Sequence, residues 1–160
     1  MDRQAQYDED FYAWSQQQAD VLRSMAARRR DLPNELDLEH VAEEIEDVGK
    51  SELKGVISHL RQMLVHAIKL ASSPESEAVA GWKTEVIDHQ ALARDRFTNA
   101  MRKDIDLDDL WRRSCREAGK KLAVYGEAMA PMADESPLTL DELLDEELDA
   151  EDLVRRLGNA

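Results

Sequence analysis

Asp37-Leu38-Glu39-His40-Val41-Ala42-Glu43-Glu44-Ile45-Glu46-Asp47-Val48-Gly49 combines apolar residues at helical spacing with a dense acidic face. Leu38, Ala42, Ile45 and Gly49 recur at intervals of four and three, and Leu53, Val56, Leu60, Met63, Ala67 and Leu70 carry the seam onward. One extra interval of four, from Gly49 to Leu53, is a stutter in that repeat. With Asp37 as the N-cap, the spacing predicts a helix from residue 37 to about 71, several times the mean globular length of about 11 residues. Gly49 on the seam costs roughly 1 kcal/mol of helix propensity against Ala and lets a partner helix approach closely. A bend or a break there is open on the sequence alone.

Working outward, a first helix is expected from Asp8 or Asp10 to about Arg29, with Phe11, Trp14, Val21, Leu22 and Met25 on its apolar face. Arg28, Arg29 and Arg30 complement its C-terminal dipole before Asp31-Leu32-Pro33-Asn34 breaks the chain. Ser73-Pro74 suits the start of a third helix over about 75–103, whose stripe is Ala78, Trp82, Val86, His89, Ala93, Phe97 and Ala100. A fourth helix, about 107–130, carries Leu107, Trp111, Ser114, Ala118, Leu122, Tyr125 and Met129. The tail from 131 turns acidic and leucine-containing, and Thr139-Leu140-Asp141-Glu142 forms a capping box opening a short helix. The fold class is therefore all-α: an antiparallel bundle of four long helices with one or two short C-terminal helices. One domain is expected over 1–160, with its core at about 7–130 and an extension at 131–160.

A net charge of −14 sits mainly in two places. Residues 34–71 hold eight acids against four Lys/Arg, and residues 131–160 hold ten against two. That field repels phosphate backbones and anionic membranes and favours a basic protein surface or metal ions. The single cysteine, Cys115, excludes an internal disulfide framework and a Cys-based metal site. Its neighbours Arg112 and Arg116 favour a thiolate, whereas a place at the core edge favours an inert thiol. No run of about 18 apolar residues and no signal-peptide core is present, so a cytoplasmic protein without membrane attachment is expected.

Several segments together resemble the domain-of-unknown-function 29 family of bacterial proteins. They are Tyr7-Asp8-x-Asp10-Phe11-x-x-Trp14, Leu36-Asp37-Leu38-Glu39-His40-x-x-Glu43-Glu44-Ile45-Glu46-x-x-Gly49, Leu64-x-His66-x-x-Lys69, Trp82 and Ser136-Pro137-Leu138-x-Leu140-x-x-Leu143-Leu144. The resemblance covers most of the chain and implies a compact all-helical fold. It brings no established activity, cofactor or partner.

Three constellations are candidates for chemistry. His40, Glu44 and Asp47 share one side of the predicted 37–71 helix, with Glu43 on the edge of the seam, an arrangement that suits a basic partner or a divalent metal. The competing reading is a solvated face whose acids complement the helix dipole. His59 and His66, seven apart beside the seam, and His89 on the third helix form a second metal-ligand set, with Glu52 or Glu85 adding charge. Spacing opposes it: residues seven apart lie about 10.5 Å along the axis, and no Glu-x-x-His pair precedes these histidines. Tyr12 points about 100° away from the Phe11–Trp14 stripe and offers an aromatic docking residue beside acids. Arg112, Arg113, Arg116 and Lys120 form a basic stripe, but the acidity of the chain disfavours nucleic acid.

No catalytic motif or phosphate loop is present, and no cofactor is expected. The chain reads as a non-enzymatic protein-binding or regulatory module, monomeric or homodimeric, that presents an acidic helix face to a basic protein partner through His40, Glu43, Glu44, Asp47 and Tyr12. The alternative is a metal-binding protein or metal-dependent enzyme using His40, Glu44 and Asp47, or His59, His66 and His89.

Overall fold

The computed structural model describes residues 3–158, and within them every regular element is helical. In chain order these are α1 (Arg3–Glu9), α2 (Phe11–Arg28), α3 (Leu38–Ser72), α4 (Val79–Arg96), a 3-10 helix (Asn99–Asp104), α5 (Leu107–Val124), α6 (Leu140–Leu143) and α7 (Ala150–Gly158). None of them is long and apolar enough to cross a membrane.

The caps explain most boundaries. Asp10 accepts a hydrogen bond from the Ala13 amide and caps α2, so the first predicted helix begins at its Asp10 alternative, and the short α1 precedes it. Asp37 accepts from the His40 amide at the head of α3, which runs unbroken through Gly49. Asp106 caps α5 in the same way, and Thr139 with Glu142 makes the expected capping box of α6.

Two predicted helices end early. α5 stops at Val124 rather than near 130, because Gly126 takes a φ of +71° and the Gly126 and Glu127 amides turn back to Ala123 and Leu122 carbonyls. That is a Schellman ending, which a residue without Cβ adopts freely. Tyr125 consequently stands 74% exposed instead of continuing the buried stripe. α4 begins at Val79, after turns over 73–78, and ends at Arg96 rather than 103. The following 3-10 helix instead buries Met101 and turns Asp104 toward α2, where Tyr12 Oη donates to Asp104 Oδ2 at 2.8 Å. Here tertiary burial outweighs helix continuation.

The contacts group into two compact units, one of Met1–Gly55 with Phe97–Asp104, the other of Val56–Arg96 with Ile105–Ala160. In the first, α2 buries Tyr12, Ser15 and Ala19. The predicted stripe is thus one residue out of phase: Phe11 and Trp14 are half-buried in an edge-and-stack cluster with Tyr7, and Val21 is exposed. Tyr12, expected to face outward, is 5% exposed, and burial together with the Asp104 hydrogen bond pushes its pKa up to about 12. Small residues decide the phase. Ser15 lies against Gly49 so closely that a Cβ there would fall 1.9 Å from Ser15 Oγ, and a bulkier stripe does not fit.

In the second unit, α3 from Met63 to Leu70 is buried on nearly every side except at His66. Trp82, Val86, Gln90 and Ala93 of α4 and Leu110, Trp111, Ser114, Ala118 and Leu122 of α5 complete much of the core. The tail is part of that core rather than an extension. Leu138, Leu140, Leu143, Leu148, Leu153 and Leu157 are all buried. The Gln90 amide donates to the Leu143 and Asp145 carbonyls at 3.0 and 2.9 Å, fixing the tail to α4. Its acids are in part neutralised at home, since Glu142 pairs with Arg156, Glu146 with Arg94 and Glu151 with Lys83.

Candidate metal centre

His66 of α3 and Glu85 and His89 of α4 converge within the second unit. One ring nitrogen of each histidine and a carboxylate oxygen of Glu85 lie within 4.8 Å of one another. Glu85 and His89 are one turn apart and already touch, with His89 Nε2 at 3.2 Å from Glu85 Oε2. The opposite edge of His89 is held by His59, the two Nδ1 atoms being 3.0 Å apart. A cation shared with Glu85 would take His89 Nε2. His89 Nδ1 would then carry the hydrogen and donate it to His59, the outer support that metal-bound imidazoles commonly have. The His66 ring stacks on His89, planes 9° apart and centroids at 6.3 Å, and its buried Nδ1 has no hydrogen-bond partner.

The electrostatics favour neutral imidazoles. Burial first, then the charges of Lys69 and Lys121 against the pull of Glu85, lowers the His66 pKa to about 4. His59 is likewise lowered, mainly by burial and then by His89 and Arg96. Just beyond His66, one turn along α3, Lys69 is buried with its Nζ 4.5 Å from the centre of the Trp82 ring. Burial pulls its pKa down, as does Lys121, while Glu127 and Glu85 oppose.

The lowered His66 pKa sets a pH dependence. The unfolded chain takes up a proton near pH 6.5 and the folded protein only near 4, so stability falls as pH drops through that window. The ring is partly exposed, so the expected loss is about 2 kcal/mol rather than the roughly 3 kcal/mol of an unscreened shift. Urea denaturation at several pH values measures it. His66→Leu removes that increment of the slope; an unchanged slope would contradict the assignment.

Comparison with known families and structures agrees with this architecture. The family model described as Domain of unknown function DUF29 matches residues 6–148. The chain belongs to this family. An alpha-helical protein of unknown function from Rhodospirillum rubrum has a crystal structure similar to this DUF29 chain, at a TM-score of 0.87 and 43% sequence identity, covering 94% of this chain and 96% of that one. A comparison with curated proteins finds no match.

Elsewhere in the DUF29 chain, the first-unit residues of α3 singled out from sequence are not members of this group. His40, Glu43, Glu44 and Asp47 are exposed, and among the described residues the grouping required of metal ligands is met by His66, Glu85 and His89, not by His40, Glu44 and Asp47. His40 is engaged by Asp37, its Nδ1 2.5 Å from Oδ2, which raises the imidazole pKa and lowers that of the carboxyl. Asp47 approaches Lys50, and Glu46 is gripped by Arg23 and Lys50 at 2.9 and 3.0 Å. Tyr12 is interior. Cys115 lines an open groove of about 850 Å³ with Trp111, Arg112, Arg116 and residues 129–135. Burial pushes its pKa up, so the adjacent arginines do not activate it.

The sequence reading places His59, His66 and His89 in one set with Glu52 or Glu85 adding charge, and the seven-residue spacing of His59 and His66 opposes it. The structure pairs His66 across to α4. The seven-residue spacing leaves untested the one-turn relation of Glu85 and His89, a pair of ligand types opposite a histidine on the neighbouring helix.

Proposed function

We propose that this DUF29 protein binds a divalent transition metal through His66, Glu85 and His89. The observation that supports it is the convergence of three ligand groups, one of them from His66, a residue whose buried Nδ1 has no partner, since buried polar atoms without partners are rare and point to an ion or water. Two imidazoles and one carboxylate suit zinc, iron(II), cobalt(II) or nickel(II) rather than calcium or magnesium. Bonds of about 2.1 Å at tetrahedral angles place ligand atoms roughly 3.4 Å apart, a spacing the Glu85–His89 pair already has. All three ligand atoms lie within 4.8 Å of one another, and the half-exposed Glu85 side chain is free to adjust as they close on an ion. Three protein ligands leave a further coordination position free.

Tag-free protein titrated with Zn²⁺ or Co²⁺ by calorimetry is expected to bind one equivalent. His66→Ala and His89→Ala should each weaken binding at least a hundredfold, and His40→Ala should leave it unchanged. At a hundredfold excess over Kd the metal adds about 2.7 kcal/mol of stability, visible as a rise in Tm. Equal binding by the His66→Ala/His89→Ala double variant would sink the proposal.

A second reading is favoured by the exposure of Glu39, Glu43 and Glu44 on α3, none of which has a basic residue within ion-pairing distance among the described residues. Such a flank suits a protein partner with a basic surface. A partner recovered at low salt should be lost when Glu43 and Glu44 are replaced by Lys, while the fold is retained. Capture undiminished by that charge reversal would end this reading.

A further inference from the structure

Lys69 has the burial of a core residue and the charge of a surface one. It is 7% exposed, its ammonium rests on the Trp82 ring, and no carboxylate lies within ion-pairing distance of it among the described residues. Lys69 follows His66 by three residues on α3, and Trp82 precedes Glu85 by three on α4. The Lys69–Trp82 pair therefore forms the next layer after the His66–Glu85–His89 layer between the same two helices. With a divalent ion in that layer, Glu85 is the single anionic ligand facing two metal charges and the lysine charge. Glu127 also acts on the lysine charge but is not among the three ligands, and the ion keeps a coordination position to fill.

We infer that the metal centre takes a small oxyanion, a carboxylate or a phosphate, bound between the metal's open position and the Lys69 ammonium. The inference rests on the metal-binding reading. Glu85, whose side chain is half exposed, marks the route by which such an anion reaches the layer from solvent. Lys69 is a positioning group here, a charge-assisted donor to the oxygen that the metal does not hold.

The Zn²⁺-loaded full chain is titrated with formate and, separately, with inorganic phosphate, and the Co²⁺-loaded protein is followed by its visible spectrum. At least one of the two is expected to bind at one equivalent and shift the cobalt bands, and the one that binds more tightly identifies the source. Lys69→Met should keep metal affinity within about threefold and weaken the anion at least tenfold; Lys69→Arg should recover part of it. Because linkage is reciprocal, the anion must also tighten metal binding by wild-type protein by the same factor by which the metal tightens the anion, a readout that needs no variant to fold. Metal bound with no anion response, or anion binding equal in Lys69→Met, overturns this inference and leaves the metal site standing. No metal bound by wild-type protein removes the parent reading and this one with it.

Discussion

A chain truncated after Ser136 is expected to lose the cooperative unfolding transition of the unit formed by Val56–Arg96 and Ile105–Ala160. The deletion removes Leu138, Leu140, Leu143, Leu148, Leu153 and Leu157, of which Leu143, Leu153 and Leu157 are at most 1% exposed. Shortening one such leucine to Ala costs about 2–5 kcal/mol in lost burial and residual cavity, and a whole domain is stable by only about 5–15 kcal/mol. Removing six exceeds that margin. The Gln90 amide, itself buried, also loses both of its carbonyl acceptors, and an unsatisfied buried amide costs a further 1–3 kcal/mol or so. Calorimetry or circular-dichroism melting checks the truncation, and urea denaturation of Leu153→Ala, expected to cost about 3 kcal/mol, provides a graded version. A truncated chain that melts like the full-length protein would show that the tail is an appendage after all.

Gly49→Ala, a substitution that raises helix propensity by about 1 kcal/mol on an isolated helix, is expected to destabilise this protein by about 2 kcal/mol net. The new Cβ would fall 1.9 Å from Ser15 Oγ and 3.0 Å from Ser15 Cβ. Rotating the hydroxyl away abandons its 2.8 Å hydrogen bond to the Tyr12 carbonyl and leaves Ser15 Cβ at 3.0 Å, so the two backbones must also give by a few tenths of an ångström. Gly49→Val should be worse. The decisive measurement is a double-mutant cycle: Ser15→Gly removes the obstructing side chain, so Gly49→Ala should cost at least 1 kcal/mol less in that background. A cycle that closes with no coupling would dismiss close helix approach as the reason for glycine here.

The close approach at Gly49 is legible in the sequence, whereas the face that α2 brings to it and the place of the tail are not. The stripe on α2 was read from its largest apolar residues, Phe11 and Trp14. The packed face is Tyr12, Ser15 and Ala19, because a helix that meets a glycine buries what is small enough to fit. The tail was read as an extension because its acids dominate its composition, while its leucines were already at positions that could cover the second unit. Gly126 marks another divergence. Its φ of +71° ends α5 at Val124, where the four-three spacing of Tyr125 and Met129 predicts continuation.

The sequence by itself determined the all-helical class, the long α3 with its seam, the Asp37 and Thr139 caps, and the outward acidic flank. Each of these is a property of residues within one or two turns of one another, where spacing is geometry. Only the tertiary structure decided which face of α2 is buried, where the tail leucines go, and that His66 meets Glu85 and His89 rather than His59. Those outcomes depend on the axial register and rotation of one helix against another. Register and rotation follow from how side chains of unlike size interlock across the contact, and a periodic pattern on either helix alone leaves both free.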